Sequence, residues 1–137
     1  MKKLLSIIFT LLFFAGYCLA TTSYDSYGNK TGSYKQTSNG YTSYDRYGNK
    51  TGSYKQTSSG YNSYDKYGNK TGSYKKTSSG YTSYDKYGNK TGSYKTNSSG
   101  VTTQYDKYGN KTGSFRTNSS GRTTQYDKYG NKVGSYK

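Results

Sequence analysis

The chain has 137 residues, 21 of them Tyr, and a formal net charge of +15 from 21 Lys and Arg against 6 acidic residues. It contains no His, Trp or Pro, a single Cys, and no acidic residue other than Asp. That composition removes the usual general-base pairs, nucleophilic triads and Cys/His zinc sites, so neither an enzyme nor a cofactor is expected.

The first twenty residues differ in kind from the rest. Lys2 and Lys3 form a basic start, Leu4 to Leu19 form an apolar run broken by Ser6, Thr10 and Gly16, and Cys18-Leu19-Ala20 offers small residues for cleavage after Ala20. This is the pattern of a secretory signal peptide over 1–20. The apolar run is shorter than the roughly 20 residues of a bilayer span, so no transmembrane segment is expected after cleavage. Lipidation at Cys18 ranks below simple cleavage because Tyr17 is bulky where that signal needs a small residue. Cleavage would remove the only Cys and lower the charge to +13 with the loss of Lys2 and Lys3.

From Thr21 onward the chain is a single domain of tandem repeats: 21–40, 41–60, 61–80, 81–100, 101–121 and a shortened 122–137. Val101 and Val133 are its only aliphatic residues, so any core must be built from tyrosine. Periods of this size mark architectures in which each unit leans on its neighbours.

Each repeat carries two turn signals. Asp45-Arg46-Tyr47-Gly48 has the acceptor side chain and the fourth-position Gly of a type I turn closed by a glycine bulge. Thr57-Ser58-Ser59-Gly60 has the same grammar. The Ser/Thr/Tyr/Lys segments between them lack helical periodicity and read as strands. Pairing Asp45 with Asn49 puts Tyr44 opposite Lys50, Ser43 opposite Thr51 and Thr42 opposite Gly52. Pairing Thr57 with Tyr61 puts Gln56 opposite Asn62, Lys55 opposite Ser63 and Tyr54 opposite Tyr64.

This register places a structural ladder of aromatics on one face: Tyr24, Tyr34, Tyr44, Tyr54, Tyr64, Tyr74, Tyr84, Tyr94, Tyr105, Phe115, Tyr126 and Tyr136. Tyr41, Tyr61 and Tyr81 fall on the opposite face. The extra residue in each of the last two Asn-Ser-Ser-Gly loops lengthens the turn and preserves the pairing. Phe115 keeps the ring without the hydroxyl, as a packed position allows. Tyr24 and Tyr136 are left over, and they would pair if the strands closed on themselves. The expected fold is therefore all-β: an antiparallel repeat of six two-stranded hairpin units, about twelve short strands, closing into a shallow barrel or a β-flower-like ring.

The segment Gly100-Val101-Thr102-Thr103-Gln104-Tyr105-Asp106-Lys107-Tyr108-Gly109-Asn110-Lys111 resembles the tyrosine-aspartate (YD) repeats of RHS-type proteins. It shares their Gly, Thr-rich strand, Tyr-Asp and following Gly-Asn. That resemblance covers all six repeats and implies a β-sheet scaffold on secreted or surface-exposed proteins, sometimes linked to carbohydrate. Thr or Ser stands where that family has a further aromatic, and the chain has no toxin or plug domain. The Gly-Ser-Tyr after Gly-Asn-Lys-Thr is also similar to small bacterial β-flower proteins. Neither resemblance implies catalytic residues.

Function is read from the cations and exposed aromatics. Lys50, Lys70, Lys90 and Lys111 recur at one position, and Lys55, Lys75 and Lys95 at another. Tyr47, Tyr67, Tyr87 and Tyr108 sit at turn tips. Aromatics among cations can engage sugars or bases, and the excess charge attracts polyanions. These residues are the candidate ligand contacts. The expected partners are a glycan, lipopolysaccharide or another polyanionic envelope surface, with nucleic acid less favoured because the leader exports the protein. Secreted, periplasmic or cell-surface placement follows. Each Asp is explained as a turn former, and no metal site is expected. Two alternatives share the composition: a self-associating matrix or fibre-forming protein with open sheet edges, and a disordered cationic chain that orders on binding.

Overall fold

The computed structural model of the chain describes residues 20–137. The signal-peptide reading lies outside these residues except for Ala20, which opens the first strand opposite Lys35.

Twelve strands follow in order: β1 Ala20–Asp25, β2 Lys30–Thr37, β3 Gly40–Asp45, β4 Lys50–Thr57, β5 Gly60–Asp65, β6 Lys70–Thr77, β7 Gly80–Asp85, β8 Lys90–Thr96, β9 Val101–Asp106, β10 Lys111–Thr117, β11 Thr123–Asp127 and β12 Lys132–Tyr136. Every strand pairs antiparallel with its sequence neighbours, and β1 pairs with β12, so the sheet is a closed up-and-down barrel. The six Asp turns gather at one rim, and the remaining turns and the C-terminus gather at the other. Each hairpin also climbs along the wall. Ser23 pairs with Gly32 and Gly32 with Asp45, two residues beyond Ser43, the repeat equivalent of Ser23. This steady stagger is what closing a sheet into a barrel requires.

The Asp turns form as their sequence dictates. Asp45 N–H donates to the Asn49 carbonyl at 2.9 Å, and Gly48 N–H donates to the Asp45 carbonyl at 3.1 Å. Gly48 holds φ at 90°, a conformation that glycine adopts without a side-chain penalty. Tyr44 then stands opposite Lys50, as expected. One step later the ladder slips, and Ser43 faces Gly52 rather than Thr51. Thr51 is a bulge residue whose hydroxyl donates to Ser43 Oγ at 2.9 Å, so the extra residue is held by a side-chain bond in place of the ladder.

The other turn corrects the expected register. Thr57 pairs with Gly60, making a two-residue loop of Ser58-Ser59. Gln56 then meets Tyr61, Lys55 meets Asn62, and Tyr54 meets Ser63 rather than Tyr64. Gly60 takes φ 147° as the first residue of its strand, and a Cβ there would lie 2.0 Å from the Tyr74 carbonyl oxygen. The glycine therefore serves the close approach of β5 to β6 and does not form a loop bulge. Where Asn97 and Asn118 replace Thr, the loop does have three residues. Asn97 Oδ1 accepts from Ser99 and Val101 N–H at 3.1 and 3.0 Å, and Gly100 adopts φ 74°. The inserted residue is absorbed there, and strand register is kept: Ser93 faces Tyr105 as Ser73 faces Tyr84.

A one-residue change of register exchanges the two faces of a strand, and here it divides the expected aromatic ladder. Tyr34, Tyr54, Tyr74, Tyr94, Phe115 and Tyr136 point into the barrel and are 8% exposed or less. Tyr24, Tyr44, Tyr64, Tyr84, Tyr105 and Tyr126 line the outer wall, half-buried. Tyr41, Tyr61 and Tyr81, expected on the far face, point inward opposite Tyr54, Tyr74 and Tyr94. Closure joins Ser23 to Tyr136 and Tyr24 to Ser135, so Tyr24 and Tyr136 are neighbours on opposite faces.

Twelve strands enclose a wider bore than eight, and an eight-stranded barrel is just filled by ordinary side chains. Long aromatic rings from alternate strands suit this bore. The Tyr54 and Tyr74 centroids lie 6.3 Å apart at a 57° tilt, within the range of favourable aromatic pairs. The Tyr136 hydroxyl donates to Gln125 Oε1 at 3.0 Å. A second layer, Tyr41, Tyr61 and Tyr81, comes only from β3, β5 and β7. The equivalent inward positions in β1, β9 and β11 hold Thr21, Thr102 and Thr123, all buried.

Candidate functional site

The outer surface carries two repeated cation–aromatic arrangements. On the wall, Lys55 Nζ lies 5.1 Å from the centroid of the Tyr64 ring, Lys75 lies 5.2 Å from Tyr84, and Lys95 lies 5.6 Å from Tyr105. Lys35 over Tyr44, at 5.7 Å, begins the same series. The register makes these pairs: Ser53 faces Tyr64, which places Lys55 diagonally across from that ring on the same face. Each ammonium sits over a π face while staying exposed.

At the Asp-turn rim, Tyr27, Tyr47, Tyr67, Tyr87, Tyr108 and Tyr129 are 74–91% exposed. The residue before each of the last five is a cation stacked on it. Arg46 lies 4.6 Å from the Tyr47 ring, and Lys66, Lys86, Lys107 and Lys128 each lie 4.8 Å from Tyr67, Tyr87, Tyr108 and Tyr129. The Arg46 guanidinium also donates to the Tyr47 hydroxyl. Successive tips are separated by two strands, about 10 Å around the rim.

Lys50, Lys70, Lys90 and Lys111 stand just inside this rim on the outer wall, opposite Tyr44, Tyr64, Tyr84 and Tyr105. The structure therefore brings Lys50, Lys70, Lys90 and Lys111 close to the tip tyrosines and sets Lys55, Lys75 and Lys95 farther down the wall. Sequence reasoning missed the cations at the tips themselves, Arg46, Lys66, Lys86, Lys107 and Lys128. Their signal is a basic residue immediately before five of the six tip tyrosines.

The Asp residues are committed to the turns. Asp45 Oδ1 accepts from the backbone N–H of Tyr47 and Asn49, each at 2.9 Å, and Oδ2 accepts from Asn49 Nδ2 at 3.0 Å. The same three bonds recur at Asp25, Asp65, Asp85, Asp106 and Asp127. The Asn side-chain bond first, and the backbone N–H bonds with it, hold all six carboxyls below their ordinary pKa. Each carboxylate thus orders its loop and props up the adjacent Tyr. Among the described residues, no three acidic, His or Cys side chains gather as a metal would need.

Beside its half-buried tyrosines, the outer wall carries Lys55, Lys75 and Lys95 among Ser and Thr.

Fold and surface together define a closed repeat barrel that displays an aromatic and cationic array. Comparison of the chain with family models, curated proteins and solved structures finds no match.

Proposed function

We propose that this protein is a secreted, non-enzymatic binding module that holds to anionic carbohydrate at the cell envelope or surface. The observation that carries this reading is the repeated stacking of a cation on an exposed tyrosine at the Asp-turn rim, backed by the row from Lys50 to Lys111. One cation and one ring make a weak site for an acidic sugar. Several on a common rim can engage a polymeric surface together, and linked weak contacts multiply in strength when geometry permits. The resemblance to YD repeats, with their surface placement and occasional link to carbohydrate, supports the same reading. Fibre formation through open edges is less favoured, because β1 and β12 are paired with each other.

The test is retention on an immobilised acidic polysaccharide, measured across salt concentrations and compared with a neutral polysaccharide. Binding should weaken steadily as salt rises. Replacing Lys66, Lys86 and Lys107 together by Gln should release the protein at distinctly lower salt. Salt-independent retention, or equal retention on the neutral polymer, would refute the proposal.

A further inference from the structure

The opposite rim contains a place where the repeat breaks its own rule. Along the inward register near the short turns, successive even strands present Gln36, Gln56, Lys76, Thr96 and Thr117. The long side chains stop at Lys76, and the next strand offers only a threonine. In the same interval the inner aromatic layer ends: Tyr81 is its last ring, and β9 continues with Thr102. Two shortenings coincide on one side of Tyr81. A cavity of about 350 Å³ opens there, walled by Lys76, Ser78, Ser79, Tyr81 and Thr96.

Its backbone is fixed on both sides. Thr96 N–H donates to the Ser79 carbonyl at 2.7 Å, tying the β6–β7 turn to β8. Thr96 Oγ1 and Thr102 Oγ1 share a hydrogen bond of 2.8 Å, which draws those side chains together and keeps the space clear. Gly80 has no room for a side chain, since a Cβ would lie 2.1 Å from the Tyr94 carbonyl oxygen. The Asp turns lie at the far rim, and no acidic side chain is among the described residues that line the cavity.

We infer that this cavity is a binding site for a single acidic sugar ring, a monosaccharide unit bearing a carboxylate. Lys76 supplies a charge-assisted partner for the carboxylate. Tyr81, 6% exposed, offers only the edge of its side chain as an apolar floor, and the hydroxyls of Ser78, Ser79 and Thr96 match sugar hydroxyls. The volume lies at the small end of the roughly 300–1,000 Å³ range of ligand sites, which suits one ring. The site is independent of the outer array, being at the other rim and made by different residues.

The repeat supplies its own fold-safe variants, because Gln already occupies the equivalent of Lys76 and of Thr96 in earlier repeats. Galacturonate and galactose, which differ in a carboxylate, are titrated into the folded protein while backbone amide shifts are followed by NMR. Galacturonate should shift Ser79, Tyr81 and Thr96 and leave the equivalent Ser59 and Tyr61 unmoved. Lys76→Gln should weaken binding about tenfold or more, the worth of one charge-assisted contact, and Thr96→Gln should abolish it by filling the space. A trimer of galacturonate binding more tightly through the same amides would assign the ligand to a chain end, and equal affinity would assign it to the free sugar. Undiminished binding by Lys76→Gln, equal response at Ser59 and Tyr61, or equal binding of galactose would overturn the site. Those results would leave the outer array's salt-dependent retention untouched, so the two readings fail separately.

Discussion

Tyr54 and Tyr64 are ten residues apart and each follows a Ser, yet the barrel predicts very different costs for removing them. Tyr54 is 2% exposed within the lumen. Taking away a ring so buried forfeits about 2–3 kcal/mol of transfer free energy. The cavity left behind raises the total for Tyr54→Ala to about 3–5 kcal/mol. Tyr64 lies half-buried on the wall with Lys55 above it at 5.1 Å. Tyr64→Ala loses a cation–π contact of about 0.5–1 kcal/mol and some partial burial, which leaves a gap near 3 kcal/mol. In urea, with m of about 1–3 kcal/mol/M, that gap separates the two midpoints by about 1 M or more. Tyr54→Phe is the control. Phe115 already fills the equivalent position in β10, so this change should cost only about 0.5–1.5 kcal/mol, the worth of a hydroxyl's hydrogen bond. Equal midpoints for the two alanine variants would refute the division into inner and outer rings and restore a single aromatic face.

Two other outcomes follow from the geometry. Gly60→Ala should destabilise by more than about 3 kcal/mol, since strained backbone costs about 1–3 kcal/mol alone and the new Cβ would meet the Tyr74 carbonyl oxygen at 2.0 Å. Gly100→Ala, with φ 74° and nothing within 4 Å, should cost only about 1–2 kcal/mol in the same urea titration. Stability should also fall at both ends of the pH scale. The six Asp carboxyls are held below 3.8, so their contribution is present above the unfolded value and disappears as pH falls through the folded one. Tyr34, Tyr54, Tyr61, Tyr81 and Tyr136 are raised above 10.0 mainly by burial, so their contribution is present below pH 10.0 and is lost as pH climbs beyond it. Denaturation midpoints across pH check both limbs, and a profile flat into strong alkali would contradict the buried tyrosine core.

Much of the barrel was legible in the repeat, because an Asp or Asn followed by Gly at the fourth position specifies one loop geometry. Tyr44 opposite Lys50 follows from that grammar, whereas closure is expected from a Tyr24–Tyr136 pair, and the sheet closes instead with Tyr136 opposite Ser23 and Tyr24 opposite Ser135. The misreading began at Thr57. A threonine hydroxyl was treated as an Asn or Asp acceptor, whereas the three-residue loop forms only where Asn97 and Asn118 stand. One residue of loop length then reversed the parity of the next strand, sending Tyr64 outward and Tyr61 inward. The Thr51 bulge was equally hidden, since the Ser43 hydroxyl that holds it carries no special signal in sequence. The candidate lysines are exposed because Lys50, Lys55 and their repeat equivalents all fall on the outer wall. The cavity beside Lys76 has no signal in the sequence: it depends on Gln36, Gln56, Lys76 and Thr96 sharing an inward row.

Closure between β1 and β12 also sets a rule for how such a protein can change length. In a solenoid, one more repeat adds one more rung and disturbs only its neighbours. Here an added hairpin would widen the bore, and the inward rings would no longer span the gap. A lost hairpin would crowd the same rings into less space. Repeat number is therefore fixed by the reach of a tyrosine side chain, and gain or loss of a unit would demand a new set of inward residues in every remaining strand.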